Sequence, residues 1–316
     1  MCMPWIADAH TDFLSTLVQQ KTAYTADLHT QRHISLSALQ TGQVGLQIFA
    51  AFVDRQKPEH PTVQCLKQIQ AYYALQSAWG AHNLIPATLD TLALPRPSPT
   101  RAVLSIEGGE ACAGSSEILS LFSKLGVRAM GLVWNHPNEL GFPAVLPHTQ
   151  AQGLTHAGLS MLRSMEKQRI AVDVSHLNEK GFWDCLSHAS VSPFASHSNA
   201  FSLCPHPRNL KDDQIRALIQ SRGFIGINFN PPFLSEQPRC SLSTIVSHIL
   251  HILDLGGEDI LGFGSDFEGV SSLPAGMFGA QSYPALLSAL QTAGVDQPLL
   301  DKLAHQNLVR YLSLFY

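Results

Sequence analysis

Short apolar runs recur through the 316-residue chain, all but the first followed by a longer stretch with helical spacing. The first run begins by about residue 5 and passes into Asp8-Ala9-His10-Thr11-Asp12. Seven more cover residues 45–53, 102–106, 129–134, 170–176, 193–197, 224–229 and 260–266. Helices are predicted over 62–79, 117–125, 155–168, 179–188, 212–220, 242–255, 283–293 and 298–314. In the first of these Thr62 would be the cap, with Val63, Leu66, Ile69 and Tyr73 as the face repeating at helical spacing. Residues 20–41 are polar, with Leu28, Ile34 and Leu39 scattered through, and Pro95, Pro97 and Pro99 mark a loop.

Strands that stay apolar on consecutive positions are buried on both faces, and alternation with helices means parallel pairing. Eight such units in about 300 residues predict a (β/α)8 TIM-type barrel, one catalytic domain over 1–316. An open doubly wound sheet fits less well, because no glycine-rich phosphate fingerprint follows the first strand. Residues 135–154, with Pro137, Pro143 and Pro147, are too long for an ordinary connection and predict an active-site loop.

Active sites of such barrels lie at the C-terminal ends of the strands. His10 and Asp12 end the first predicted strand, Glu107 follows the third, His176 ends the fifth, His197 the sixth and Asp266 the eighth. Taken singly, each has an ordinary reading: a capping carboxylate, or a core histidine satisfied by a nearby acid. Gathered on one rim they form a donor set for metal. Imidazole nitrogen and carboxylate oxygen suit zinc or a similar divalent ion. His10 and Asp12 would hold one ion and His176 and His197 another. Glu107 would lend an oxygen to each, with the ions about 3.5–4 Å apart. A water between two such ions loses a proton near neutral pH and becomes a nucleophile. Asp266, not needed as a ligand, is free to move that proton.

Composition narrows the partners. The chain is 45% hydrophobic and 14% charged, enough for a large core, and its net charge of -4 comes with no basic run. Nucleic acid and anionic membrane surfaces are therefore not expected. No apolar run approaches the roughly 18 residues of a membrane span. Cys2, Cys65, Cys112, Cys185, Cys204 and Cys240 show no close pairing, which predicts reduced, mostly buried thiols. A strand beginning by about residue 5 leaves no room for a signal peptide, so the expected location is cytoplasmic.

The motifs D-A-H-T-D (8–12), S-I-E-G-G (105–109), W-N-H-P-N-E-L-G (134–141), V-D-V-S-H (172–176), S-H-S-N-A (196–200), R-N-L-K-D-D-Q-I (208–215) and G-S-D-F-E-G (264–269) stand in this order. Together the chain resembles the membrane dipeptidase (renal dipeptidase) family of zinc peptidases in its short bacterial form. The resemblance implies two Zn2+ per chain, bound by His10, Asp12, His176 and His197 with Glu107 bridging. It implies a dipeptide substrate, with tolerance of a C-terminal D-residue, and allows a homodimer. Arg208 matches the arginine that holds the substrate's terminal carboxylate, a role its bidentate fork suits; the ordinary alternative is a surface salt bridge with Asp212 or Asp213. Asp266 matches the acid/base aspartate. Animal enzymes carry a substrate-contacting histidine after the fourth strand, where this chain has Asn135 and His136, either of which can take that role. After the seventh strand, Asn228-Phe229-Asn230-Pro231-Pro232 lacks the tyrosine of the animal pocket. The alternatives are a related metal-dependent amidohydrolase acting on another amide or an acylated amino acid, and a metal-binding protein without turnover.

Overall fold

The computed structural model describes residues 3–20, 33–95, 98–237 and 239–316; Cys2, Leu28 and Pro97 lie outside them. Nine parallel strands follow in chain order: β1 Ile6–Thr11, β2 Val44–Phe52, β3 Leu84–Pro86, β4 Thr100–Glu107, β5 Val127–Gly131, β6 Ala171–Asp173, β7 Phe194–Ala195, β8 Phe224–Ile227 and β9 Leu261–Phe263. Neighbouring strands run β2-β1-β9-β8-β7-β6-β5-β4, and β2 pairs with β4 to close the circle. The result is the eight-stranded (β/α)8 barrel expected. β3, which the apolar pattern did not reveal, is an extra strand of three residues on the lower part of β4.

Several strands stop earlier than their apolar runs. β5 ends at Gly131, β6 at Asp173 and β9 at Phe263. Side-chain carboxylates take over the backbone amides there: Asp173 accepts from Ser175 N and Ser196 N, and Asp8 accepts from Ser265 N. His176, His197 and Asp266 thus stand on turns just past their strands rather than within them.

β1 is irregular at the point that matters most. Asp8 pairs with Gln47 and Thr11 with Phe49, so three steps on β1 oppose two on β2, the signature of a bulge. Below it, Ala7 and Ala9 join Leu46, Ile48, Val103, Ala129, Ala171, Phe194 and Phe224 in a buried cluster drawn from seven strands, which must be the barrel lumen. Asp8 faces the other way, accepting from Ser265 Oγ at 2.6 Å and Tyr283 Oη at 2.7 Å. The bulge then returns His10 to the inside with Asp12.

The helix Pro61–Trp79 begins one residue before Thr62, with His60 accepting from Thr62 N. Its packed face differs from the expected one. Val63, Leu66 and Tyr73 are exposed, whereas Gln64, Gln68, Ile69, Tyr72 and Leu75 are buried. The glutamines face inward because strand β2 needs them: Gln68 Oε1 accepts from Phe52 N and Gln64 Oε1 from Asp54 N. Their burial is offset by hydrogen bonds that secure the end of β2.

The final predicted helix is continuous but changes type along its length. It runs as Gln297–Asp301, a π turn Lys302–Gln306, Asn307–Leu312 and a 3-10 turn Ser313–Phe315. Leu308, Tyr311, Leu312 and Phe315 join the luminal cluster, so this segment plugs the barrel at the end opposite the candidate ligands. No helix among the described residues is long and apolar enough to cross a membrane. Cys65, Cys112, Cys185, Cys204 and Cys240 are buried and free.

Candidate active site

The barrel brings every sequence-predicted donor to one rim. His10 Nε2 lies 3.6 Å from Asp12 Oδ2, 3.6 Å from Glu107 Oε2 and 3.9 Å from Asp266 Oδ1. Glu107 Oε1 lies 2.7 Å from His176 Nε2 and 3.6 Å from His197 Nε2. One carboxylate therefore reaches two groups of donors through its two oxygens. Candidate ligand atoms of His10, Glu107 and His197 fall within 4.8 Å of one another, as do those of His10, Asp12 and Asp266. Asp266 is thus closer to the first group than the sequence reading, which kept it out of the ligand set, had it.

Neighbouring groups fix the rings. Asn135 Oδ1 accepts from His176 Nδ1 at 3.0 Å. Ser196 Oγ donates to Asp173 and lies 2.7 Å from His197 Nδ1, from which it accepts. Both protons are therefore on Nδ1, and both Nε2 atoms present lone pairs. These two nitrogens face each other at 3.1 Å.

Electrostatics lead to the same place. Asp12, Glu107 and Asp266 bring three buried carboxyls together, and Arg208 is the buried guanidinium beside them. Burial raises the Asp12 carboxyl to about 8, with the Glu107 charge adding to it. Burial also raises Asp266, to about 6, despite the nearby His10 charge. Burial acts against ionisation of Glu107 too, but the His10 charge holds it well below the usual range. His176 is pushed down to about 4 by burial and the Arg208 charge, and His197 is held low by burial and the His10 charge. Both are thereby neutral and ready to ligate at pH 7.

These residues fit divalent metal. His10 Nε2 and Asp12 Oδ1 are buried without a hydrogen-bond partner, a costly state that a cation between them relieves. The facing Nε2 atoms of His176 and His197, 3.1 Å apart, offer two further nitrogen donors.

The cleft above these donors encloses about 510 Å³, and Phe52, Trp134, Asn135, Arg208 and Phe233 share its lining with the acids. That volume is ordinary for a small-molecule site. Arg208 is buried, with Nη2 donating to His176 Nε2 at 3.1 Å and Nη1 unpartnered. It is no surface ion pair: Asp212 instead pairs with Ser202 and His251. Asn135 touches His176. His136 does not line the cleft; it bonds Gln56 and packs edge-on against Trp134. Asn228, noted in the sequence only as part of a segment that lacks the animal pocket's tyrosine, donates Nδ2 to Asp266 Oδ2 at 3.0 Å. Asp8, Asp173, Ser196 and Ser265 lay within the motifs without roles; they brace the turns that carry His176, His197 and Asp266.

Known proteins show the same architecture. The sequence matches the family model described as membrane dipeptidase (peptidase family M19) over residues 3–314. A Klebsiella pneumoniae protein, the uncharacterized protein in the pqqA 5' region, is 40% identical over 221 residues, covering 67% of this chain and 80% of that protein. The crystal structure of dipeptidase AC, an M19 metallopeptidase, superposes with a TM-score of 0.91 at 27% identity over 100% of this chain and 99% of that one. A Rhodobacter sphaeroides metallopeptidase liganded with a phosphinate mimic of the dipeptide L-Ala-D-Ala superposes at 0.90 with 26% identity over 100% of both chains.

Proposed function

The chain belongs to the membrane dipeptidase family, peptidase family M19, and from that membership we propose that it is a binuclear zinc dipeptidase acting on dipeptides with a free C-terminal carboxylate. His10 and Asp12 would hold one ion, His176 and His197 the other, and Glu107 would bridge them. Bound there, two such ions supply an acidified water and polarise the scissile carbonyl. The observation that carries the reading is the reach of Glu107, one oxygen toward His10 and the other toward His176 and His197.

The chain's own residues do the rest. Arg208, buried in the cleft wall with Nη1 free, would pair with the terminal carboxylate and set the peptide bond over the donors. Asp266 would take the proton from the attacking water and deliver it to the leaving amine. Asn228 holds its Oδ2, so Oδ1, on the His10 side, is the oxygen available for that transfer. Phe52, Trp134 and Phe233 give the cleft apolar walls that limit water. The Rhodobacter sphaeroides relative, with its L-Ala-D-Ala mimic, supports acceptance of a D-residue at the C-terminal position.

The test compares Ala-Ala, Ala-D-Ala and their C-terminal amides. Both dipeptides should be cleaved and the amides barely at all. Arg208→Ala should cost about 2–5 kcal/mol in kcat/KM on the dipeptides, since a desolvated charge loses its partner, and erase the discrimination. Equal rates on a dipeptide and its amide with the wild type would refute the carboxylate role of Arg208.

A further inference from the structure

Among the described residues two histidines line the cleft, His176 and His206. The first belongs to the donor set. The second does not: His206 stands on the turn two residues before Arg208, half-buried, and no ligand position claims it.

Its orientation is determined by its neighbours. His206 Nδ1 accepts the backbone N–H of Arg208 at 3.2 Å. Burial and the Arg208 charge hold the imidazole below its ordinary pKa, so the ring is neutral near pH 7. A neutral imidazole that accepts through one nitrogen carries its proton on the other, and His206 therefore presents Nε2–H. The ring packs against Phe233, tilted by 34° with centroids 4.3 Å apart. The guanidinium of Arg208 lies 5.6 Å from the centroid of that same ring. Phe233 is itself held, its carbonyl accepting from Asn209 Nδ2 at 2.7 Å and from Asn199 Nδ2 at 3.3 Å. Two donor heads are thus fixed against one aromatic side chain on one wall of the cleft. One of them, Arg208 Nη1, is buried and unpartnered.

We propose that His206 is a second carboxylate-recognition residue: its Nε2–H and the Arg208 guanidinium together receive the substrate's C-terminal carboxylate. This rests on the carboxylate role of Arg208 proposed above. An anion between the two donors has its lone pairs shared by a charged fork and a neutral N–H. A C-terminal amide, with one oxygen replaced by NH2, puts a donor against a donor. His206 would therefore sharpen the choice of free dipeptides over amides and longer peptides. The competing role is purely structural, Nδ1 bracing the Arg208 turn.

Isosteric variants separate the two roles. In His206→Asn the side-chain oxygen can replace Nδ1 as acceptor, but no donor reaches the Nε2 position. In His206→Gln the terminal NH2 reaches it. Calorimetry on the metal-loaded protein would measure binding of the phosphinate mimic of L-Ala-D-Ala and of its C-terminal amide to wild type, both variants and Arg208→Ala. The expected result is carboxylate-ligand binding weakened about 10-fold in His206→Asn, the scale of one hydrogen bond to a charged group. Amide binding should change little, and His206→Gln should recover most of the loss. If His206→Asn binds both ligands as wild type does while Arg208→Ala loses the discrimination, His206 takes no part and the proposal falls. If His206→Asn and His206→Gln weaken both ligands equally, the residue only braces the turn, and the proposal falls. If Arg208→Ala keeps full discrimination, the carboxylate reading fails first and His206 falls with it.

Discussion

His176 and His197 aim their Nε2 lone pairs at each other across 3.1 Å, each with Nδ1 committed behind it. Two such nitrogens repel unless positive charge lies at hand; Arg208 Nη2 meets that of His176 at 3.1 Å, and a cation between the rings would satisfy both. Replacing either histidine by Ala should empty one ion position and abolish most activity. Metal analysis and a rate measurement on the purified variant check both. A variant that keeps its full metal content would remove that histidine from the ligand set.

Asp266 occupies a left-handed backbone conformation, φ 62°, which Asn tolerates far better than most residues. Asp266→Asn therefore preserves the turn and the bond from Asn228 while removing the base. The variant should hold its metal, bind dipeptide nearly as before and lose about 10²–10⁴-fold in kcat, the usual worth of a positioned acid or base. Lost metal or a lowered melting temperature would mark Asp266 as a ligand or a strut instead.

Gly269 packs against the two carboxylates. A Cβ there would lie 2.1 Å from Asp12 Oδ2 and 2.4 Å from Asp266 Oδ1. Gly269→Ala must displace one or both, so it should lower metal affinity and activity by about an order of magnitude or more, in line with other groups that orient ligands. Titration of the metal-free variant with zinc reads this, and wild-type affinity would show that the turn can move aside.

The barrel and its donor ring were legible because apolar runs and strand-end polar residues are one-dimensional signals. What stayed hidden depends on neighbours in space. Asp8, His10 and Asp12 alternate as if on one face, yet the bulge turns Asp8 out to Tyr283 and returns His10 to the lumen; an added residue in the pairing leaves no mark in an alternating sequence. Gln64 and Gln68 read as solvent positions until strand β2 supplies their partners. Asn135 and His136 were equivalent by position, and only the fold sets one on His176 and the other on Gln56.

His305 sits far from the donors, on the π turn, with its ring 4.1 Å from Trp5. Burial pushes its pKa down to about 4 from 6.5. Above pH 6.5 the ring is neutral folded or unfolded, and its contribution is complete. Between 6.5 and 4 the unfolded chain takes up a proton that the folded one refuses, so stability falls as pH falls. His305→Phe keeps the stack without the titration. Comparing urea unfolding of the metal-free wild type and variant across this window should show the wild type losing more stability toward pH 4. Parallel curves would mean that the ring titrates normally in the fold.

Metal stoichiometry tests the two-ion centre most directly. Fully active, metal-replete protein, quantified by elemental analysis against protein concentration, should carry close to two divalent ions per chain, with chelation abolishing dipeptide hydrolysis and zinc restoring it. A single ion per chain at full activity would contradict the bridging role of Glu107 and, with it, the binuclear account.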